Sequence, residues 1–116
     1  MILAVLDDLM FTSKIRTTAS QLGVTVAFAR SAESALAEMR KTAPALVILD
    51  LNNPRTQPLA IVGAMKADAS LASIPTLGYA SHVQTDVIEA ARAAGVQDVL
   101  ARSAFTQQLP AILQRS

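Results

Sequence analysis

The chain has no cysteine and no tryptophan, and its 116 residues include three phenylalanines and one tyrosine. The lack of cysteine excludes disulfides and thiolate metal sites. With aromatic residues at 3%, the sequence also lacks the aromatic faces on which single-stranded nucleic acid would stack. The formal net charge is +1 and the basic residues are scattered, so we expect no nucleic-acid partner.

Long apolar runs are missing as well. The apolar run at the N-terminus is six residues long and is followed by two aspartates, so it is too short for a signal peptide or a membrane span. We therefore expect a cytoplasmic protein that makes no membrane contact. Hydrophobic residues make up 52% of the chain, which excludes a disordered polypeptide and suits one domain over residues 1–116.

Five short apolar runs alternate with five helical patterns, which predicts right-handed βαβ units in a parallel sheet with helices on both faces. Gly23 and Gly95 stand where helices end, and Ser31 stands where a helix begins. Pro110 must lie in the first turn of the last helix or kink that helix, so we expect the helix to begin near Thr106. The predicted strands are Ile2–Leu6, Val24–Phe28, Ala45–Leu49, Thr76–Ala80 and Asp98–Leu100. The predicted helices are about Thr12–Leu22, Ala32–Lys41, Pro58–Ala67, Thr85–Ala94 and Thr106–Gln114.

Three carboxylates follow two of the predicted strands. Asp7 and Asp8 close the first apolar run, and Asp50 closes the third. Ligands of parallel α/β sheets bind beyond the carboxyl ends of the strands, so neighbouring strands would gather the three groups in one shallow pocket. Such close anions repel one another unless a cation or protons intervene. Mg²⁺, which prefers oxygen ligands, is the expected counter-charge.

The motifs Leu6-Asp7-Asp8, Leu49-Asp50-Leu51-Asn52-Asn53-Pro54 and Ala94-Gly95 occur in this order at a specific spacing. Together they resemble the response-regulator receiver domain of two-component signalling, over essentially the whole chain. The resemblance implies a single doubly wound α/β domain of the flavodoxin-like (βα)5 type. Its parallel sheet would have the strand order 2-1-3-4-5.

The resemblance also implies a function for the acidic trio. Asp50 would accept a phosphoryl group from a histidine kinase or a phosphotransfer protein that docks near the first helix. Mg²⁺ would neutralise the phosphoryl oxygens, held by Asp7 or Asp8, by Asp50, and by the backbone carbonyl of Asn52.

Two positions depart from the family pattern. Active receivers carry Thr or Ser at the end of the fourth strand, where this chain has Ala80. Ser81 could supply the hydroxyl if a bulge near Gly78 turned it toward the pocket. Receivers also end the fifth strand with Lys-Pro, where this chain has Arg102-Ser103.

Arg102 keeps the positive charge of the family's Lys but presents a larger planar group. It would either clamp a phosphoryl group or form a permanent ion pair with one of the three aspartates. The Lys-Pro peptide of receivers is cis, and a cis bond before Ser103 would cost about 2.5–4 kcal/mol. We therefore expect either a trans bond with a displaced Arg102 or a strained cis bond.

Two further features bear on signalling. Val99 and Leu100 stand where receivers have an aromatic switch residue in the fifth strand, so coupling of the pocket to the surface would be altered. His82 stands in the loop above the pocket, and we interpret it as a solvated loop histidine.

Two functions therefore remain. The first is a phosphoacceptor in a phosphorelay, in which Asp50, Ser81 and Arg102 act on the phosphoryl group. The second is an atypical receiver that binds partner proteins without phosphorylation, with a homodimer through the fourth and fifth helices left open. We expect no enzyme: Asp7 and Asp8 would repel the phosphate of a flavin cofactor, and the Asp-x-Asp pair of haloacid-dehalogenase-type phosphatases is missing.

Overall fold

Five parallel strands form one sheet in the order β2-β1-β3-β4-β5, in a computed structural model that describes residues 1–81 and 85–115. The strands are β1 (Ile2–Val5), β2 (Val26–Ala29), β3 (Leu46–Asp50), β4 (Thr76–Ala80) and β5 (Asp98–Ala101). The helices within the described residues are α1 (Leu9–Leu22), α2 (Ala32–Lys41), α3 (Pro58–Ala67), α4 (Thr85–Ala94) and α5 (Arg102–Leu113), with a 3₁₀ turn at Pro54–Thr56. The predicted doubly wound α/β fold and its strand order are confirmed.

Apolar side chains cover both faces of the sheet. Successive residues of a strand point to opposite faces, so the central strands β1, β3 and β4 are buried throughout and read as continuous apolar runs. One face packs against α2, α3 and α4 through the buried side chains of Leu3, Val5, Val47, Leu49, Ala35, Met39, Ile61, Val62, Met65 and Ala91. The other face packs against α1 and α5 through those of Ile2, Ala4, Ile48, Leu77, Tyr79, Phe11, Ile15, Phe105 and Leu109.

The first helix begins at Leu9, three residues before the predicted Thr12. The cause is Asp8, whose Oδ1 accepts a hydrogen bond from the Phe11 N–H at 3.1 Å and so caps the helix. At its other end, Gly23 adopts a φ of 69°, and the Val24 N–H donates to the Ala19 carbonyl at 2.9 Å. Val24 therefore belongs to the helix cap, which is why β2 begins two residues later than predicted.

The last helix begins at Arg102 and contains Pro110, so the prediction that it starts near Thr106 is wrong. A proline inside a helix costs about 3 kcal/mol. Each fully buried Leu, Ile or Phe side chain contributes about 1.5–3 kcal/mol in the opposite direction, and α5 buries Phe105, Leu109, Ile112 and Leu113. Core packing therefore outweighs the lost backbone hydrogen bond.

Gly78 does not form the bulge considered above. Strand β4 pairs with β3 residue for residue, including Leu49 with Gly78 and Asp50 with Tyr79. Gly78 instead leaves room for Leu51, because a Cβ at this position would lie 2.6 Å from Leu51 Cδ1 and 2.8 Å from its Cγ. None of the described helices is both long enough and apolar enough to cross a membrane.

The contact between Gly78 and Leu51 predicts that Gly78→Val destabilises the domain by about 1–3 kcal/mol, since overpacking forces neighbouring side chains to shift. Gly63→Ala in α3 is the matched control, because nothing lies within 4 Å of a Cβ there. It should instead raise the stability by about 0.5–1 kcal/mol. Urea unfolding of both variants measures the two effects. Wild-type stability in Gly78→Val would contradict the close approach.

Candidate functional site

The three aspartates lie in one open cleft at the carboxyl-terminal edge of the sheet. Asp7 and Asp8 follow β1, Asp50 ends β3, and these two strands are neighbours. The cleft is lined by Asp7, Asp8, Asp50, Asn52, Asn53, Pro54, Arg55 and Arg102. The chain thus brings together all four predicted metal-binding residues and Arg102, but not Ser81.

Both carboxylate oxygens of Asp8 are engaged within the protein. Oδ1 accepts from the Phe11 N–H at 3.1 Å, and Oδ2 lies 3.0 Å from Arg102 Nη2. The Phe11 N–H, and then the Arg102 guanidinium, hold the pKa of Asp8 below its ordinary value. Asp8 is therefore an anion at neutral pH with two partners already in place.

Asp7 is engaged in the same way by two residues of the loop after β3. The Asn53 amide donates from Nδ2 to Asp7 Oδ1, and Arg55 Nη2 lies 3.1 Å from Asp7 Oδ2. The Arg55 side chain is 80% exposed, and exposed ion pairs contribute about 0–1 kcal/mol. Arg55 is thus a weakly held counter-charge that a competing cation can displace.

Asp50 is the most buried of the three aspartates, with 7% of its surface exposed. Its Oδ1 accepts from the Asn52 N–H at 3.0 Å. Burial raises the pKa of Asp50, while the Asn52 N–H and the charge of Arg102 act in the opposite direction. Asp50 is therefore a poorly hydrated carboxylate whose charge the cleft only partly compensates.

Sequence reasoning missed the roles of Asn53 and Arg55. Asn53 caps the 3₁₀ turn, since its Oδ1 accepts from the Arg55 N–H at 3.0 Å, with Pro54 at the first turn position. The Asn-Pro pair is a recognisable start signal for such a turn. The turn carries Arg55 to Asp7, but that pairing depends on the tertiary fold and has no local sequence signal.

Arg102 lies at the first position of α5, and its peptide bond to Ser103 is trans. Its guanidinium lies 3.0 Å from Asp8 Oδ2 and 4.7 Å from the centre of the Phe11 ring. Of the alternatives considered above, the structure adopts the trans peptide and an ion pair with Asp8.

The hydroxyl predicted at Ser81 is not part of the acidic cleft. Ser81 donates its N–H to Asn52 Oδ1 at 2.7 Å, and it lines a neighbouring cleft with Arg102, Ser103 and Thr106. Ala80 is fully buried in the apolar layer beneath α2, α3 and α4. Among the described residues that line the acidic cleft, none carries a hydroxyl. His82 lies outside the described residues.

A hydroxyl that sequence reasoning missed lies beneath the cleft. Tyr79 is the partner of Asp50 across β3 and β4, and 1% of its surface is exposed. Its ring stacks on Phe105 at 4.6 Å and contacts Phe11 at 5.1 Å between ring centres. Its hydroxyl has no hydrogen-bond partner among the described residues, which costs about 1–3 kcal/mol for a buried polar group.

The cleft fits a hard divalent cation in its donor chemistry, because carboxylate and carbonyl oxygens are the ligands that Mg²⁺ prefers. Within residues 1–81 and 85–115, however, no group of three or more acidic or histidine side chains is already arranged around a metal position. Arg55 and Arg102 hold the aspartates instead. A cation in the cleft would therefore compete with these guanidinium groups for Asp7 and Asp8.

Comparison with known proteins identifies a family. The sequence model of the response regulator receiver domain family matches residues 2–114 of this chain. A search of curated proteins found no significant match.

Solved structures of similar fold include the receiver domain of NtrX from Brucella abortus, with 25% identity, a TM-score of 0.81, and coverage of 99% of this chain and 96% of that one. The phosphorylated cyanobacterial phytochrome response regulator RcpA has 24% identity and a TM-score of 0.80, with coverage of 97% and 87%. The Mn²⁺-bound form of response regulator Rcp1 has 22% identity and a TM-score of 0.78, with coverage of 96% and 89%.

The raised pKa of Asp50 predicts a pH-dependent effect of Asp50→Asn on stability. When folding raises the pKa of an acid, ionisation of that acid favours the unfolded chain. The folded state therefore loses stability as pH increases from the ordinary pKa, 3.8, to the pKa in the folded state. Asn carries no charge, so Asp50→Asn should be more stable than the wild type at neutral pH, and the difference should vanish below the ordinary pKa. Urea unfolding against pH, in metal-free buffer, measures this difference.

Asp68→Asn is the control for that experiment. Hydrogen bonds from Ser70 lower the pKa of Asp68, so its charge favours folding and its loss at neutral pH should not be stabilising. A neutral-pH stability of Asp50→Asn at or below that of the wild type would contradict the assignment of burial as the dominant effect on Asp50.

Proposed function

Since the receiver-domain model matches nearly its whole length, the chain belongs to the response regulator receiver family, and we propose that Asp50 accepts a phosphoryl group. The donor is the phosphohistidine of a histidine kinase or of a phosphotransfer protein. The observation that carries the proposal is the buried carboxylate of Asp50 in one cleft with Asp7 and Asp8. Poor hydration leaves such a carboxylate available as a nucleophile once the phosphoryl charge is neutralised.

The hydrogen bonds of Asp50 define the transfer step. Oδ1 is held by the Asn52 N–H, which leaves Oδ2 as the attacking atom. An O–P bond forms at Oδ2 while the P–N bond to the donor imidazole breaks. The electron pair of that bond returns to the imidazole nitrogen, and Asp50 becomes an acyl phosphate.

Mg²⁺, when bound, would neutralise the phosphoryl oxygens. Asp7 or Asp8, Asp50 and the Asn52 carbonyl would hold it. Rcp1, a response regulator of the same fold, has a Mn²⁺-bound form, which supports a divalent cation as part of this proposal. The Arg55 side chain, which pairs with Asp7, is more exposed than that of Arg102, which pairs with Asp8. Arg55 is therefore the guanidinium that the cation would displace more easily.

Arg102 takes the place of the family's Lys in this proposal. Its guanidinium is shared between Asp8 and the face of Phe11, so it lies at the rim of the cleft. A planar fork can donate two parallel hydrogen bonds to a phosphoryl group. Arg102 would neutralise phosphoryl oxygens after it leaves Asp8.

A second candidate function is protein binding without phosphorylation. It is favoured by Ala80 and Val99, which lie in the apolar layer under α2, α3 and α4 and bring no hydroxyl or aromatic ring there. In this case the surface from α4 to α5 would bind a partner protein, or a second copy of the chain in a homodimer.

Phosphoryl transfer predicts an adduct that depends on Asp50. Incubation with a small phosphodonor and Mg²⁺ should raise the intact mass by one phosphoryl group, and both Asp50→Ala and removal of Mg²⁺ with a chelator should abolish the increase. Asp68→Asn, which changes a partly exposed aspartate outside the cleft, should keep the adduct. No adduct with any phosphodonor would exclude the first function and leave the second.

Competition between Arg55 and the cation predicts that Arg55→Ala binds Mg²⁺ more tightly. An exposed ion pair of about 0.2–1 kcal/mol corresponds to an affinity gain of up to about fivefold. Arg40→Ala removes the same charge from a pair with Asp68 and should change the affinity little. Calorimetric titration with Mg²⁺ measures both variants. Equal or weaker binding by Arg55→Ala would show that Arg55 does not occupy the metal's place.

A further inference from the structure

The tyrosine beneath the cleft has a buried hydroxyl that nothing in the described part of the chain uses. From its position we infer that Tyr79 is a positioning residue of the phosphoacceptor site. Its hydroxyl donates a hydrogen bond to the phosphoryl group on Asp50, in place of the hydroxyl that is missing at Ala80. This inference rests on the proposed function, because it requires a phosphoryl group at Asp50.

The strand register places Tyr79 next to Asp50. The two residues are partners across β3 and β4, and partners in a parallel pair project to the same face of the sheet. That face packs against α1 and α5, as the burial of Ile48 and Tyr79 in one cluster shows. Ala80, the next residue, belongs to the opposite face. Tyr79 therefore presents a hydroxyl on the face of the sheet that Asp50 shares, close enough for the charge of Asp50 to act on it.

The surroundings of the ring hold it in place. The Tyr79 ring contacts Phe105 at 4.6 Å and Phe11 at 5.1 Å, and the two phenylalanine rings contact each other at 5.7 Å. These phenylalanines belong to the first turns of α5 and α1, close to the cleft. The Arg102 guanidinium lies 6.0 Å from the centre of the tyrosine ring. These ring contacts limit the orientations of the Tyr79 ring and therefore of its hydroxyl.

Burial and the negative charge of Asp50 keep the phenol of Tyr79 protonated. Burial, followed by the negative charge of Asp50, raises the pKa of Tyr79. The hydroxyl is therefore a donor throughout the working range of pH. A phosphoryl group brings acceptor oxygens, whereas the described residues provide no acceptor for this hydroxyl, and hydrogen bonds to charged acceptors are the stronger class.

The test compares the wild type with Tyr79→Phe, which removes the hydroxyl and keeps the ring contacts. With Mg²⁺ and beryllofluoride as the phosphoryl mimic, Tyr79→Phe should bind the mimic about tenfold more weakly or worse, as expected for a lost hydrogen bond to a charged group. Its thermal stability should not fall, since the buried hydroxyl has no partner to lose.

A spectroscopic measurement separates this role from a purely structural one. The chain contains one tyrosine and no tryptophan, so near-ultraviolet absorbance and tyrosine fluorescence report on Tyr79 alone. Both should change when beryllofluoride binds to the wild type, and Tyr79→Phe provides the blank.

The outcomes distinguish the inference from the proposed function. If the wild type binds beryllofluoride but its tyrosine spectrum is unchanged, or if Tyr79→Phe binds equally well, the inference is overturned and the phosphoacceptor function stands. If the wild type neither binds the mimic nor takes a phosphoryl group from any donor, the proposed function fails and the inference fails with it.

Discussion

The Asp8 carboxylate joins the parts of the domain that form the cleft. One oxygen caps α1 through the Phe11 N–H, and the other binds Arg102 at the start of α5. An N-cap contributes about 0.5–2 kcal/mol, and the cation–π contact of Arg102 with Phe11 adds about 0.5–1 kcal/mol at an exposed position. Asp8 therefore determines where α1 starts and where Arg102 lies. The arrangement of the cleft depends on helix capping as much as on charge.

The cleft and the layer beneath it contain two polar groups whose desolvation opposes folding. Asp50 is buried with a raised pKa, and Tyr79 has an unpaired hydroxyl. The cost for Asp50 is offset only in part, by the Asn52 N–H and the charge of Arg102, and the Tyr79 hydroxyl has no partner within the described residues. Asn at position 50 and Phe at position 79 would avoid the buried charge and the unpaired hydroxyl. Unsatisfied buried groups of this kind call for a physical explanation. A cation and a phosphoryl group at Asp50 would satisfy both groups at once, which ties the two observations to one function.

The sequence predicted the topology well, because the alternation of apolar runs with helical patterns specifies a parallel sheet with helices on both faces. It also located the acidic cleft, since Asp7, Asp8 and Asp50 each follow a central strand. The predicted starts of α2, α3 and α4, at Ala32, Pro58 and Thr85, agree with the structure, and those of α1 and α5 do not. The start of α1 depends on the cap by Asp8, and the apolar face of α5 outweighs Pro110. The pairs Asp7–Arg55 and Asp50–Tyr79 could not be predicted, because they depend on loop geometry and strand register between distant segments.

In the proposed function, phosphoryl binding would differ from that of other receivers in the face of the sheet that it uses. Ala80 stands where receivers carry the hydroxyl, and Val99 and Leu100 stand in the region of the aromatic switch. Ala80 and Val99 pack under α2, α3 and α4, and Leu100 packs against the opposite face. None of these side chains can hydrogen-bond to a phosphoryl group. Tyr79 lies on the opposite face and packs against Phe11 of α1 and Phe105 of α5. A hydrogen bond formed by Tyr79 would therefore act on α1 and α5, and the response to phosphorylation would arise on the face that also contains Asp8 and Arg102.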